Sequence, residues 1–201
     1  MLTPAHFAAG GAIAAKMPAR LKWLALPVAF GSHYVLDAIP HYEQWKLMGR
    51  VLQLPVGMVY WPWVGPWSLA FIVLLGWVTY RAWRSNSRKW WIYVAVCGIA
   101  AGLPDAPNRV LPKQHPLKKF HNAMHAHHNW GVALQKNMTG TSVMEATRNN
   151  NISAWFYMGI AAAMIVEITV FVLGVRIIAL AGNRIDKTQQ SRAGPPDPGQ
   201  E

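Results

Sequence analysis

Three potential metal ligands, His33, Asp37 and His41, stand at intervals of four in the stretch SHYVLDAIPHYE, residues 32–43. On a helix, positions i and i+4 share a face one turn apart. His33 and Asp37 are therefore expected to aim an imidazole nitrogen and a carboxylate oxygen at one point. Both atom types are good donors to zinc and related divalent cations. Pro40 disfavours helix at Ile39, so His41 is expected on the turn beyond, able to swing toward the same point and take a proton-transfer role. A second group lies in KFHNAMHAHHNW, residues 119–130. His121, His125 and His128 follow i, i+4, i+7, one stripe of a helix, whereas His127 points elsewhere. His-x3-His on a helix is a recurring way to hold a divalent metal. A third group, GLPDAPNR at 102–109, ends an apolar run on Asp105 and echoes YVLDAIPH. His6, in TPAHF, opens the first apolar segment.

The expected metal ligands are thus His6, His33, Asp37, Asp105, His121 and His125, with His41 and His128 as catalytic proton carriers. Plainer readings stand beside these. His33 and Asp37 suit a simple buried hydrogen bond, His121 and His125 a solvated amphipathic helix, and Asp105 a turn. The acids favour the metal reading. Each sits at a helix C-terminus, where the backbone dipole disfavours an anion by a few tenths to about 1 kcal/mol, and a bound cation offsets that cost.

The elements that must bring these residues together are apolar. The chain is 53% hydrophobic and only 13% charged, against about 25% charged in an ordinary soluble domain. That deficit points to a membrane. The single cysteine, Cys97, excludes a disulfide framework and a thiolate zinc site within one chain. The net charge of +11 is concentrated in clusters flanking apolar runs, such as Arg81/Arg84/Arg88/Lys89. That is the place of topology-setting charges, so no nucleic-acid partner is expected.

Apolar runs at 7–15, 21–39, 66–83, 90–105 and 152–180 predict an all-α, polytopic helical membrane protein. About five membrane-inserted helices are expected, with an interfacial helix carrying the histidine cluster. Residues 44–65, rich in Trp and Pro, suit a loop at headgroup level. The expected organisation is one helical membrane domain, 1–182, followed by a disordered cytoplasmic tail, 183–201. Threading the runs in order puts every candidate ligand near one membrane face. Eleven of the nineteen Lys and Arg fall on the other, which the positive-inside rule assigns to the cytoplasm. Glu167, within the last run, suits a hydrogen bond to a neighbouring helix or a contact between subunits of a homo-oligomer.

TPAHFAAGGAIAA, SHYVLDAIPHYE, GLPDAPNR and FHNAMHAHHNWG, in this order, resemble a group of small bacterial integral membrane proteins described as membrane-bound metal-dependent hydrolases. The His-x3-Asp pattern is also similar to that of zinc-dependent phospholipase C. The resemblance covers scattered patches of residues 1–130 and lacks the Asp-x-Asp and His-Arg-Gly-x-x-His-Ser strings of one branch. It implies a divalent metal, zinc, on His6, Asp37, Asp105, His121 and His125, and a site on the outer face of a bacterial inner membrane. The expected reaction is hydrolysis of a lipid-linked or headgroup phosphoester, with membrane lipid as partner. Two other readings remain: a metal-binding or metal-transporting protein without hydrolysis, and a structural or assembly factor.

Overall fold

Small residues decide how the helices meet. In the computed structural model, which describes residues 3–39, 51–52, 56–105, 110–112, 114–125 and 130–193, helix α1 (Thr3–Lys16) lies at the centre. It packs chiefly on α4 (Arg88–Gly102) and α8 (Ala154–Ala193), and then on α2 (Ala25–Ala38) and α3 (Val56–Arg84). Gly10 is what lets α1 reach α4: a Cβ there would lie 2.7 Å from Ala101 Cβ and closer still to the Cys97 carbonyl. Gly174 does the same for α8, where a Cβ would come within 2.7 Å of the Ala8 backbone. Backbones this close gain dispersion contacts along their whole length.

A 3-10 turn, Ala19–Leu24, joins α1 to α2, and α2 buries Ala25, Ala29, His33 and Asp37 along one stripe. That stripe has the four-residue spacing of a helix face. Beyond α4, a 3-10 turn at Leu103–Asp105 leads on to the short helix α5 (Pro116–His125). Helices α6 (Trp130–Thr139) and α7 (Val143–Arg148) then pass the chain to α8. Fully buried Gln135 on α6 accepts hydrogen bonds from the Ser153 backbone N–H and hydroxyl at 3.0 and 2.7 Å, fixing the entry to α8.

All the described elements are helical, but the expected set of about five membrane-inserted helices is not found. Among the described residues, one helix is long and apolar enough to cross a membrane, the Ala154–Ser191 part of α8, where an 18-residue stretch has a mean hydropathy of 2.3. The physical reason is length. Helices α1, α2 and α4 have 14, 14 and 15 residues, or roughly 21–23 Å at the α-helical rise, short of about 30 Å of hydrocarbon. Helix α3 has 29 residues, and its fully described part, 65–84, ends in Arg81 and Arg84.

Two further expectations differ. Residues 56–65, read as part of an interfacial loop, are the first turns of α3. Residues 183–193, read as the start of a disordered tail, continue α8, and 194–201 lie outside the described residues. Large apolar side chains stay exposed on α3 and α8, among them Leu69, Ile72, Val73, Ile165, Val172 and Leu173.

A candidate metal centre where five elements converge

The five expected ligands that the structure places arrive on four local devices. His6 lies on the first turns of α1, and the Gly10 contact presses α1 onto α4 one turn away. His33 and Asp37 come from the buried stripe of α2. Asp105 ends the 3-10 turn after α4, where Pro104 stops the helix. His121 comes from α5, which packs on α2.

The polar ends meet at one point. His33 Nε2 is 2.7 Å from Asp37 Oδ2 and 3.6 Å from Asp105 Oδ1. His121 Nε2 is 3.2 Å from the same Asp105 oxygen. One donor atom from each of His33, Asp37, Asp105 and His121 lies within 4.8 Å of the others, so the group can hold a metal ion. Four N/O ligands about 2.0–2.1 Å from a tetrahedral zinc stand roughly 3.3 Å apart. The observed separations bracket that value. His33, Asp37 and His121 are buried, while Asp105 keeps 30% of its side chain exposed.

His6 forms a second tier. Its Nε2 is 3.1 Å from Asp37 Oδ1, and its ring stacks on His33 with centroids 4.2 Å apart. His33 in turn stacks on His121 at 5.3 Å. Three stacked imidazoles cannot all carry charge without repulsion. Burial pushes the His6 pKa down to about 4, with the Asp37 contact opposing it, so His6 is neutral at pH 7.

The detail that favours a metal is the other nitrogen of His33. Its Nδ1 lies 2.9 Å from the carbonyl oxygen of Ala101. A carbonyl only accepts, so Nδ1 must carry the proton and donate. In the neutral ring, Nε2 then bears a lone pair, and that lone pair faces Asp37 Oδ2. At 2.7 Å the contact with the carboxylate oxygen needs a positive centre between the two atoms, either a proton shared by the pair or a metal ion. An N–H held by a backbone carbonyl is also the usual outer support of a metal-bound histidine.

Sequence reasoning missed two participants. Ala101 has no reactive side chain, but its carbonyl is one of the last four of α4, which lack partners within the helix. The helix stop before Pro104 was the signal for it. Tyr34 packs edge-on to His33 and stands near His121 and Phe120, roofing the site. Burial, and then the charges of Asp37 and Asp105, raise its phenol pKa. Of the remaining expected residues, His41 and His128 lie outside the described residues. His125 ends α5, and its side chain lies outside the described part.

No family model, curated protein or solved structure matches the chain. The functional reading therefore rests on the geometry of the cluster and the chemistry of its donors.

The metal-free protein should lose stability in acid through His6. Its folded pKa of about 4 lies below the ordinary 6.5, so the unfolded chain binds the proton more readily. Stability is full above pH 6.5 and falls as pH drops from 6.5 toward 4, by roughly 3 kcal/mol in all. Melting of chelator-treated protein across that window should show the fall, and His6→Gln should flatten it. An unchanged slope in the variant would remove His6 from the account.

Proposed function

We propose that the chain is a membrane-associated, metal-dependent hydrolase acting on a lipid-linked or headgroup phosphoester. The observation that carries the metal is the convergence of one donor atom from each of His33, Asp37, Asp105 and His121 within 4.8 Å of one another, with His33 Nδ1 anchored on the Ala101 carbonyl. Two imidazoles and two carboxylates form an N/O donor set suited to zinc. Held by these four residues, a zinc ion would supply Lewis acidity, which would lower the pKa of a water toward 7 and polarise a phosphoryl oxygen.

The chain's own residues do the rest. Two carboxylates with neutral imidazoles balance a divalent charge. Asp105, the exposed member, borders a cavity of about 270 Å³ lined by Thr3, Phe7, Phe71, Ile99, Gly102 and Leu103. A polar base under an apolar wall suits a phosphate ester carrying a lipid better than a water-soluble ester. With Oδ1, 3.2 Å from His121 Nε2, serving as a ligand atom, the other carboxylate oxygen of Asp105 can take a proton there. Tyr34 packs on Phe120 and stands edge-on to His121. The apolar length of α8 and the exposed apolar faces of α3 and α8 support membrane association. In this reading, the basic end of α8 faces the cytoplasm of a bacterium and the His/Asp cluster faces out.

The test is release of phosphate or diacylglycerol from bilayer lipids by the reconstituted full chain. Zinc-loaded wild type should turn over, and His121→Ala or chelation should lower the rate at least 100-fold. Turnover that survives both would refute the metal-dependent reaction. Stoichiometric metal with no turnover on any phospholipid would leave a metal-binding protein.

A further inference from the structure

At the far end of α1 from the His/Asp cluster lies a second and larger cavity, of about 780 Å³. Its walls come from three elements remote in sequence: the 3-10 turn after α1, the start of α4 and the last turns of α8. Lys22, Arg88 and Lys89 supply three cations, and no acid among the described residues lines it. Trp90, Tyr93 and Ile185 form an apolar floor, and Asn86, Thr188 and Gln189 add neutral polar groups.

Asp186, next to Ile185 in the chain, is already engaged. It is held by Arg81 Nη2 at 2.6 Å and by the hydroxyls of Ser85 and Ser87. Ser87 is the N-cap residue of α4, yet its hydroxyl serves Asp186 and makes no cap to the helix. The first turn of α4, at Arg88 and Lys89, therefore faces the cavity without a side-chain cap. An uncapped helix start carries partial positive charge and N–H donors suited to an anion. Tyr93 donates its hydroxyl proton to the Lys22 carbonyl, tying the 3-10 turn to α4 so that the cations from both stay together.

We propose that this cavity binds a phosphate group carried by an acidic phospholipid headgroup. Three cations and an uncapped helix start match the phosphate, and the apolar floor matches the glycerol backbone and first acyl carbons. The position also fits a lipid. Thr188 and Gln189 stand where the apolar run of α8 ends. Trp23 and Trp83, each 73% exposed, flank the same end, as aromatic residues do at a membrane interface. The site is separate from the metal centre and does not depend on the proposed hydrolysis.

The experiment uses the full chain in zwitterionic detergent. Short-chain phosphatidylglycerol, short-chain phosphatidylcholine and inorganic phosphate are titrated separately, and bound ligand is counted by native mass spectrometry. The expected result is one phosphatidylglycerol per chain, weakened at least tenfold in Lys22→Ala/Arg88→Ala/Lys89→Ala. It should change less than twofold in Lys16→Ala/Arg20→Ala, which removes charge from the same end but not from the cavity. Metal content should be equal in all three proteins, which separates this result from the fate of the His/Asp reading. If inorganic phosphate binds as tightly and competes, the phosphate site stands and its ligand is a soluble anion. Equal binding of phosphatidylcholine, equal weakening in the two variants, or no binding would overturn the proposal.

Discussion

Replacing Asp37 by Asn is expected to strip the protein of its metal while leaving the metal-free fold as stable as before, or more so. Asp37 is fully buried and lies within 3.1 Å of both His6 and His33. As a ligand it contributes charge and a donor oxygen. Its loss should weaken zinc binding more than the 10- to 100-fold typical of an outer-shell change. Without metal the same carboxylate is a fully buried acid taken out of water, a costly arrangement. Asn keeps the shape and removes the charge. The competing account, a structural His–Asp salt bridge, predicts the opposite sign, because breaking a buried ion pair from one side costs about 3–5 kcal/mol. Thermal melting with chelator and with zinc separates the two. The metal account predicts that Asp37→Asn loses the zinc-dependent gain and keeps the chelator baseline. A baseline lowered by many degrees in the variant would favour the salt bridge.

The second large effect should come from a residue that touches no ligand. Gly10→Val puts a branched side chain where even a Cβ would collide with Ala101 and the Cys97 carbonyl. Backbone cannot yield as a flexible side chain does, so α1 and α4 must separate. Overpacking of this kind costs about 1–3 kcal/mol. The functional cost is added to that, because the Ala101 carbonyl anchors His33 Nδ1 and α1 carries His6 against Asp37. Zinc affinity should fall at least tenfold together with the melting temperature. Gly31→Ala is the control: nothing lies within 4 Å of its Cβ position, and helix propensity favours the change by up to about 1 kcal/mol. Unchanged zinc affinity in Gly10→Val would uncouple the helix contact from the site.

These predictions show what could be read in the residues alone. Spacing brought His33 and Asp37 together, because i and i+4 on a helix is a local relation. Asp105 and His121 were placed nearby by following the apolar runs to one end of the molecule, and the structure puts both beside His33. The number of membrane-inserted helices was not legible. FAAGGAIAA and the Ala-rich face of α2 are apolar because they pack against other helices, with Ala25 and Ala29 fully buried. Composition cannot distinguish a short helix buried by its neighbours from one buried by lipid. Trp and Pro suggested a loop at 56–65, but α3 runs through it. The Ala101 carbonyl is a backbone atom, visible only once α4 ends beside α2. The basic cluster around Arg88 was visible as charge, but its meeting with Lys22 and the end of α8 depends on three distant segments folding together.

The central claim is that His33, Asp37, Asp105 and His121 hold one divalent ion. Equilibrium dialysis of the purified full chain against zinc, followed by elemental analysis of metal per chain, tests it most directly. The account predicts one zinc per chain in the wild type and loss of it in His33→Ala and in His121→Ala. A wild type that emerges without zinc, or variants that retain as much as the wild type, would contradict it.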